Sequence, residues 1–187
     1  LLHAASNYAL PIVMAVANRS IGLSWNIWSD QTDSLSQIYT GWIQFYCENV
    51  QEVFDTIILA YKIAEYQEKI IETEESQEKN QTVLTPIMVC YDGFTISHTK
   101  ELIIAAPIEK IKEYLPEELD LYHKISFEKP FTLGSSSCPY NFARFQKDRM
   151  RRFNNALEIT ERAVWEFEKV FGRKISPLVD GENDPEN

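Results

Sequence analysis

Three short apolar runs punctuate the first half of the chain: residues 12–17 (IVMAVA), 43–47 (IQFYC) and 86–91 (PIMVCY). Pro11 and Asn18 bound the first, and Asp92-Gly93 closes the third. Runs of this length read as strands covered on both faces, the habit of parallel α/β sheets. Between the second and third, Val50, Val53, Phe54, Ile57, Ile58, Tyr61 and Ala64 recur at three- and four-residue steps. That spacing gives a helix one apolar face. Asn49 offers it a side-chain cap, with Glu52 in capping-box position three residues on. Strand, helix, strand in this order predicts a βαβ unit with a right-handed crossover. The opening LLHAASNYALPIVMAVANRS reads as the end of a helix, a turn at Pro11 and a buried strand. A chain that starts in mid-helix at Leu1 is expected to be a fragment.

The second half is less regular. Residues 65–81 are rich in Glu, Gln, Lys and Asn and read as a solvated extension or loop. Residues 94–106 are mixed, Pro107 begins a short helix, and that helix ends near Leu115-Pro116. Pro130, Gly134 and the Ser135-Ser136-Ser137 run signal a linker. A long helix over residues 142–171 follows, with an apolar stripe of Phe153, Leu157, Val164, Phe167 and Phe171 and Gly172 placed to end it. Arg144, Lys147, Arg149, Arg151 and Arg152 crowd its first half, either a solvated, subunit-facing surface or an anion site. The expected organisation is an α/β domain over 1–116, a linker and long helix over 117–172, and an acidic tail over 173–187.

Composition narrows the partners. The 187 residues are 44% hydrophobic, a globular share, and the formal net charge is −10. Such an acidic surface repels phosphate backbones and argues against nucleic-acid binding. The opening segment lacks the basic start of a signal peptide, and Asn7, Pro11, Asn18 and Arg19 break it up too often for a membrane span. Cys47, Cys90 and Cys138 lie far apart with no histidine at ligand spacing, which excludes a zinc ribbon or an iron–sulfur cluster held by this chain. All three read as small buried hydrophobes, and their odd count suits a cytoplasmic protein.

Arg19 is the side chain with the clearest chemistry. It follows a predicted parallel strand at its carboxyl end, where open α/β sheets place ligands. Its guanidinium can fork two hydrogen bonds onto a carboxylate. The competing reading is a surface arginine paired with Asp30 or Asp33, and on spacing alone that reading leads. Asn18, Asp30, Gln31 and Asp33 either shape an active-site mouth or serve as turn and capping residues. Trp25, Trp28 and Trp42 offer apolar area for core or subunit contacts. His98 is a structural histidine or an acid–base group, and Cys47 a buried thiol or a weak nucleophile.

Several long stretches, in order, resemble the alpha subunits of 2-oxoacid:ferredoxin oxidoreductases: LPIVMAVANR at 10–19, NIWSDQTDSLSQ at 26–37, TGWIQFYCENVQEVFDTIILAYKIAE at 40–65, PIMVCYDGFTISHT at 86–99, and FEKPFTLG at 127–134 with the long helix behind it. The resemblance implies an α/β parallel-sheet thiamine-diphosphate-binding fold, of which this chain is the later half of the pyrimidine-side domain. It implies oxidative decarboxylation of pyruvate, with coenzyme A, to acetyl-CoA, carbon dioxide and reduced ferredoxin; the branched-chain 2-oxoisovalerate enzyme is the alternative. A truncated, non-catalytic contact module is the alternative of another class. The family's substrate-binding arginine falls at Arg19, which reverses the odds on that residue. Thiamine diphosphate and its magnesium are expected mainly on the beta subunit, iron–sulfur clusters on partner subunits, and gamma and delta subunits in the assembly. The glutamate that activates the aminopyrimidine lies outside this chain, so the chain alone is expected to be inactive. Relatives carry a charged pair where this chain has Ile38-Tyr39, and residues 66–83 look like a surface insertion.

Overall fold

The structure is a computed structural model that describes residues 1–22, 24–28, 30–68, 81–115, 126–130, 134 and 136–175. The expected acidic tail from residue 176 onward, most of residues 66–83 and much of the expected linker lie outside the described residues. In chain order the elements are α1 (Leu2–Asn7), β1 (Val13–Asn18), α2 (Thr32–Leu35), a short 3-10 turn (Ile38–Thr40), β2 (Ile43–Tyr46) and α3 (Val50–Ala64). A small hairpin follows, β3 (Gln67–Glu68) and β4 (Gln81–Thr82), then β5 (Ile87–Asp92), α4 (Ile108–Tyr114) and α5 (Pro139–Phe171).

β1, β5 and β2 form one parallel sheet in that spatial order, with Val13 and Ile43 both opposite Ile87. The crossover from β2 to β5 runs through α3, as the βαβ pattern requires. Side chains alternate across β5 with the strand's twofold period. Ile87 and Val89 point into the larger core, with Ile58, Leu59 and Ile63 of α3 and Ile159, Ala163 and Phe167 of α5. Met88 and Cys90 point the other way, onto Ala5 and Trp42. Tyr114 of α4 closes the larger core, its ring edge-on to Phe167 and its hydroxyl donating to the Ala163 carbonyl at 2.8 Å.

The capping box holds with a shift of one residue. Asn49 Oδ1 accepts from the Glu52 amide at 2.9 Å, while the Glu52 carboxylate reaches back to the amide of Glu48 at 2.6 Å. α5 starts three residues before the expected Phe142, because Pro139 occupies its first turn, where a missing N–H costs nothing. Gly172 ends it with φ +69°, as expected.

Three expectations need correction. Among the described residues only β5 is covered on both faces, and β1 lies at the sheet edge with Met14, Ala15 and Ala17 exposed. Phe167 and Phe171 are buried as expected, but further up α5 the buried stripe runs through Arg152, Ala156, Ile159 and Ala163, which leaves Phe153 and Leu157 exposed. Arg152 is therefore not part of a solvated basic surface. It is 4% exposed and donates to the carbonyls of Leu84 at 2.9 Å and Ser6 at 3.3 Å, with its Nε 3.1 Å from Asp148. A buried arginine that ties three segments together in this way is structural. An ion pair of Arg173 with buried Asp55, bidentate at 2.5 and 2.9 Å, likewise fastens the chain beyond α5 to α3.

Gly93 is where the sheet leaves no room for a side chain. A Cβ there would lie 1.8 Å from the carbonyl oxygen of Asn18 and 2.8 Å from its carbon, both backbone atoms of β1. Gly93→Ala therefore pushes the ends of β1 and β5 apart. The expected cost is about 3 kcal/mol or more, read as a lowered denaturant midpoint with an unchanged slope.

Candidate functional site

The carboxyl ends of the three parallel strands meet at Asn18, Tyr46 and Asp92. Asn18 is fully buried, so its amide has to find partners inside the protein. Oδ1 accepts from the Ser34 amide at 3.1 Å, and Nδ2 donates to Oε1 of Gln31. Ser34 then connects to β2: its hydroxyl lies 3.1 Å from the Tyr46 hydroxyl, and its carbonyl accepts from Gln44 at 2.8 Å. α2 is thus strapped across the sheet, from the tip of β1 to β2. The thiol of Cys90 is buried beneath it, beside Ser34 and Asn18, and burial pushes its pKa up.

Arg19 leaves the sheet directly after this knot. Its amide donates to Asp33 Oδ2 at 3.1 Å, and its carbonyl accepts from the Asp33 amide at 3.3 Å. The guanidinium Nε lies 3.6 Å from the same carboxylate oxygen, and the guanidinium carbon sits 5.4 Å from the centre of the Trp25 ring. The side chain remains 54% exposed. With Ser20, Ile21, Gly22 and Trp25 it lines an open depression of about 180 Å³. Ser20 closes the loop behind it, donating from N and Oγ to the Asn26 carbonyl, both at 3.1 Å, and accepting from the Asn26 amide at 2.7 Å. One cation set among apolar walls suits a small carboxylate with an alkyl tail.

The structure places Asn18, Gln31 and Arg19 together but gives Asp30 a different task. Asp30 Oδ1 accepts from the Thr32 amide at 2.7 Å and from the Thr32 hydroxyl, the local turn that opens α2. Those two bonds, the hydroxyl's first, hold its carboxyl below the usual range. The competing reading of Arg19 as a partner of Asp33 is also realised, since the ion pair is present.

Opposite this loop, Asp92 Oδ2 accepts from the amides of Phe94 at 3.1 Å, Thr95 and Ile96 at 3.3 Å, shaping the exit from β5. Trp28 meets Phe94 edge-on at 4.4 Å, and His98 stacks on Phe94 at 5.5 Å while its Nδ1 lies 2.7 Å from the Ser97 hydroxyl. The sequence pattern singles out neither Asp92 nor Phe94, although Asp-Gly after a strand is a turn signal. Trp42 is buried and donates to the Leu2 carbonyl at 3.0 Å, whereas Trp25 and Trp28 are both 60% exposed. Among the described residues no group of three or more His, Cys, Asp or Glu is placed to hold a metal ion.

A small parallel sheet with helices packed against it places the chain in the α/β class. Residues 1–164 match the family described as "Pyruvate flavodoxin/ferredoxin oxidoreductase, thiamine diP-bdg", and the chain belongs to that family. The ketoisovalerate oxidoreductase subunit VorA of Pyrococcus abyssi is 37% identical over 180 residues, which is 96% of this chain and 42% of that protein. The pyruvate synthase subunit PorA of the same organism is 37% identical over 177 residues, 95% of this chain and 41% of the relative. PorA of Methanocaldococcus jannaschii is 36% identical over 174 residues, 93% of this chain and 41% of the relative. The chain spans about two fifths of the length of these relatives. Among the described residues no helix is long and apolar enough to cross a membrane.

The cysteines separate cleanly. Cys47 and Cys90 are buried, and burial pushes the Cys47 thiol up to about 12, so it stays protonated and unreactive at neutral pH. Cys138 is exposed at the start of α5, against the expectation of three buried thiols. Alkylation of the native protein near pH 8 should label Cys138 alone by peptide mass mapping, with Cys47 and Cys90 following only in denaturant.

Proposed function

We propose that this chain forms part of the alpha subunit of a 2-oxoacid:ferredoxin oxidoreductase and supplies the wall that grips the substrate's carboxylate. The observation carrying this reading is the position of Arg19, just beyond the end of β1 and on the rim of the depression with Trp25 and Ile21. The ordered family match over residues 1–164 supports it. Thiamine diphosphate, when bound, supplies the nucleophile for the keto carbon and the sink for the electrons left when carbon dioxide departs. The part left to this chain is orientation: Arg19 fixes the acid group, and the apolar walls take the alkyl side.

In this reading the substrate is pyruvate, and the whole enzyme yields acetyl-CoA, carbon dioxide and reduced ferredoxin in the cytoplasm. The branched-chain 2-oxoacid 3-methyl-2-oxobutanoate is the second reading, favoured by the apolar Ile21 and Trp25 walls and by the likeness to VorA. The cofactor and its magnesium sit mainly on the beta subunit, and the iron–sulfur clusters on gamma and delta partners. The exposed Trp25 and Trp28 give such a partner apolar surface to cover. They also fit a truncated chain that serves only as a contact module.

In the assembled, full-length complex, Arg19→Lys replaces a planar fork by a point charge. The Michaelis constant for the 2-oxoacid should rise about 10- to 100-fold, the range for one strong charge-assisted hydrogen bond. An unchanged constant removes Arg19 from the substrate site. A panel of pyruvate and 3-methyl-2-oxobutanoate, with reduction of a low-potential acceptor as readout, ranks the two substrates.

A further inference from the structure

Asp33 holds Arg19 through both backbone and side chain. One carboxylate oxygen, Oδ2, accepts from the Arg19 amide at 3.1 Å and lies 3.6 Å from Nε. The Asp33 amide in turn donates to the Arg19 carbonyl at 3.3 Å. The neighbours of Asp33 are fixed as well, since the Ser34 amide and the Gln31 side chain both bond the buried Asn18. The oxygen facing Arg19 therefore cannot drift without disturbing the knot at the end of β1. Trp25 lies on the guanidinium from another direction, at 5.4 Å. Among the described residues no hydrogen bond or ion pair engages the two Nη groups of Arg19.

From this geometry we propose that Asp33 is a positioning residue for the substrate-binding arginine. It holds Arg19 by its inner edge, at Nε and the amide, and so leaves the outer Nη pair as the fork for a carboxylate. The inference rests on the substrate-binding reading of Arg19. Its physical basis is entropy: a half-exposed arginine samples many rotamers, and one held at Nε has already given up that freedom before substrate arrives. A counter-charge that merely neutralised Arg19 would have the opposite effect, competing with the substrate's own carboxylate.

The test is a double-mutant cycle on the assembled, full-length enzyme, comparing wild type, Asp33→Asn, Arg19→Lys and the double variant. Asparagine keeps an oxygen for the Arg19 amide but removes the charge facing Nε. Asp33→Asn should raise KM for the 2-oxoacid about 5-fold, the size of one modest polar interaction, while kcat falls less than about 2-fold. In the Arg19→Lys background, where no fork remains to be oriented, the same change should add nothing further. Asp33→Glu, which restores the charge, should recover part of the loss. A KM that is unchanged or lowered by Asp33→Asn overturns the inference, and so does an equal rise in both backgrounds. If Arg19→Lys itself leaves KM unchanged, the substrate-binding reading fails and this inference falls with it. Should Asp33→Asn fail to assemble, Asp33→Ser keeps an acceptor oxygen and carries the same four-way comparison.

Discussion

The close approach of two backbones, Asn18 at the end of β1 and Gly93 just past β5, fixes the geometry at the carboxyl edge of the sheet. No Cβ fits between them, so the two strand ends share one position rather than a range. Asn18 is thereby driven inside, and its buried amide must be satisfied. Gln31 and Ser34 satisfy it, which fixes the start of α2 over the sheet. Arg19 is the next residue along, and its direction out of the protein follows from that arrangement. The place where Arg19 leaves the sheet is set by sterics and by buried hydrogen bonds, and the contact with Asp33 acts only on how its side chain is held.

Magnitudes support that ordering. An exposed pair such as Arg19 with Asp33 is worth about 0–1 kcal/mol in water, too little to organise a loop. An unsatisfied buried amide at Asn18 would cost about 1–3 kcal/mol, and a clash at Gly93 about 3 kcal/mol or more. Three of the arginines divide accordingly. Arg152 and Arg173 spend their donors on buried carbonyls or on a buried carboxylate and hold the helices in place. Arg19, the half-exposed one, keeps donors in reserve.

Much of the fold was legible in the sequence because its signals are local. Apolar runs, the Asn49 cap and Gly172 each report on their own neighbourhood, and each sits where the pattern puts it. What escaped the pattern depends on which neighbour an element meets. The apolar run of β1 is as continuous as that of β5, yet one strand is central and the other an edge. Phe153 is more apolar than Arg152, yet arginine is the one buried, because two carbonyls from distant segments await it. Periodicity gave the existence of α5 and its buried face at Phe167 and Phe171, but not the face its first half buries. At the site, Arg19, Asn18 and Gln31 stood out from position and resemblance, whereas Phe94 acts through a ring contact with Trp28, far away in sequence, and Asp92 shows only as the local turn at the exit from β5.

The open setting of Arg19 bears on how such a site works. A guanidinium facing water meets a carboxylate that is equally well hydrated, so the attraction between them is weak. The same pair behind a covering surface is several times stronger, provided the fork is already oriented and no rearrangement is needed. On the proposed reading the chain supplies the orientation through Asn18 and Asp33, and Ile21 and Trp25 give apolar surface beside the cation. Burying that surface and excluding water from the arginine are then one event. In a subunit of the proposed enzyme, the contact that completes the assembly would also strengthen the grip on substrate. On that reading, orientation would be built into this chain, and dryness would come with the partner.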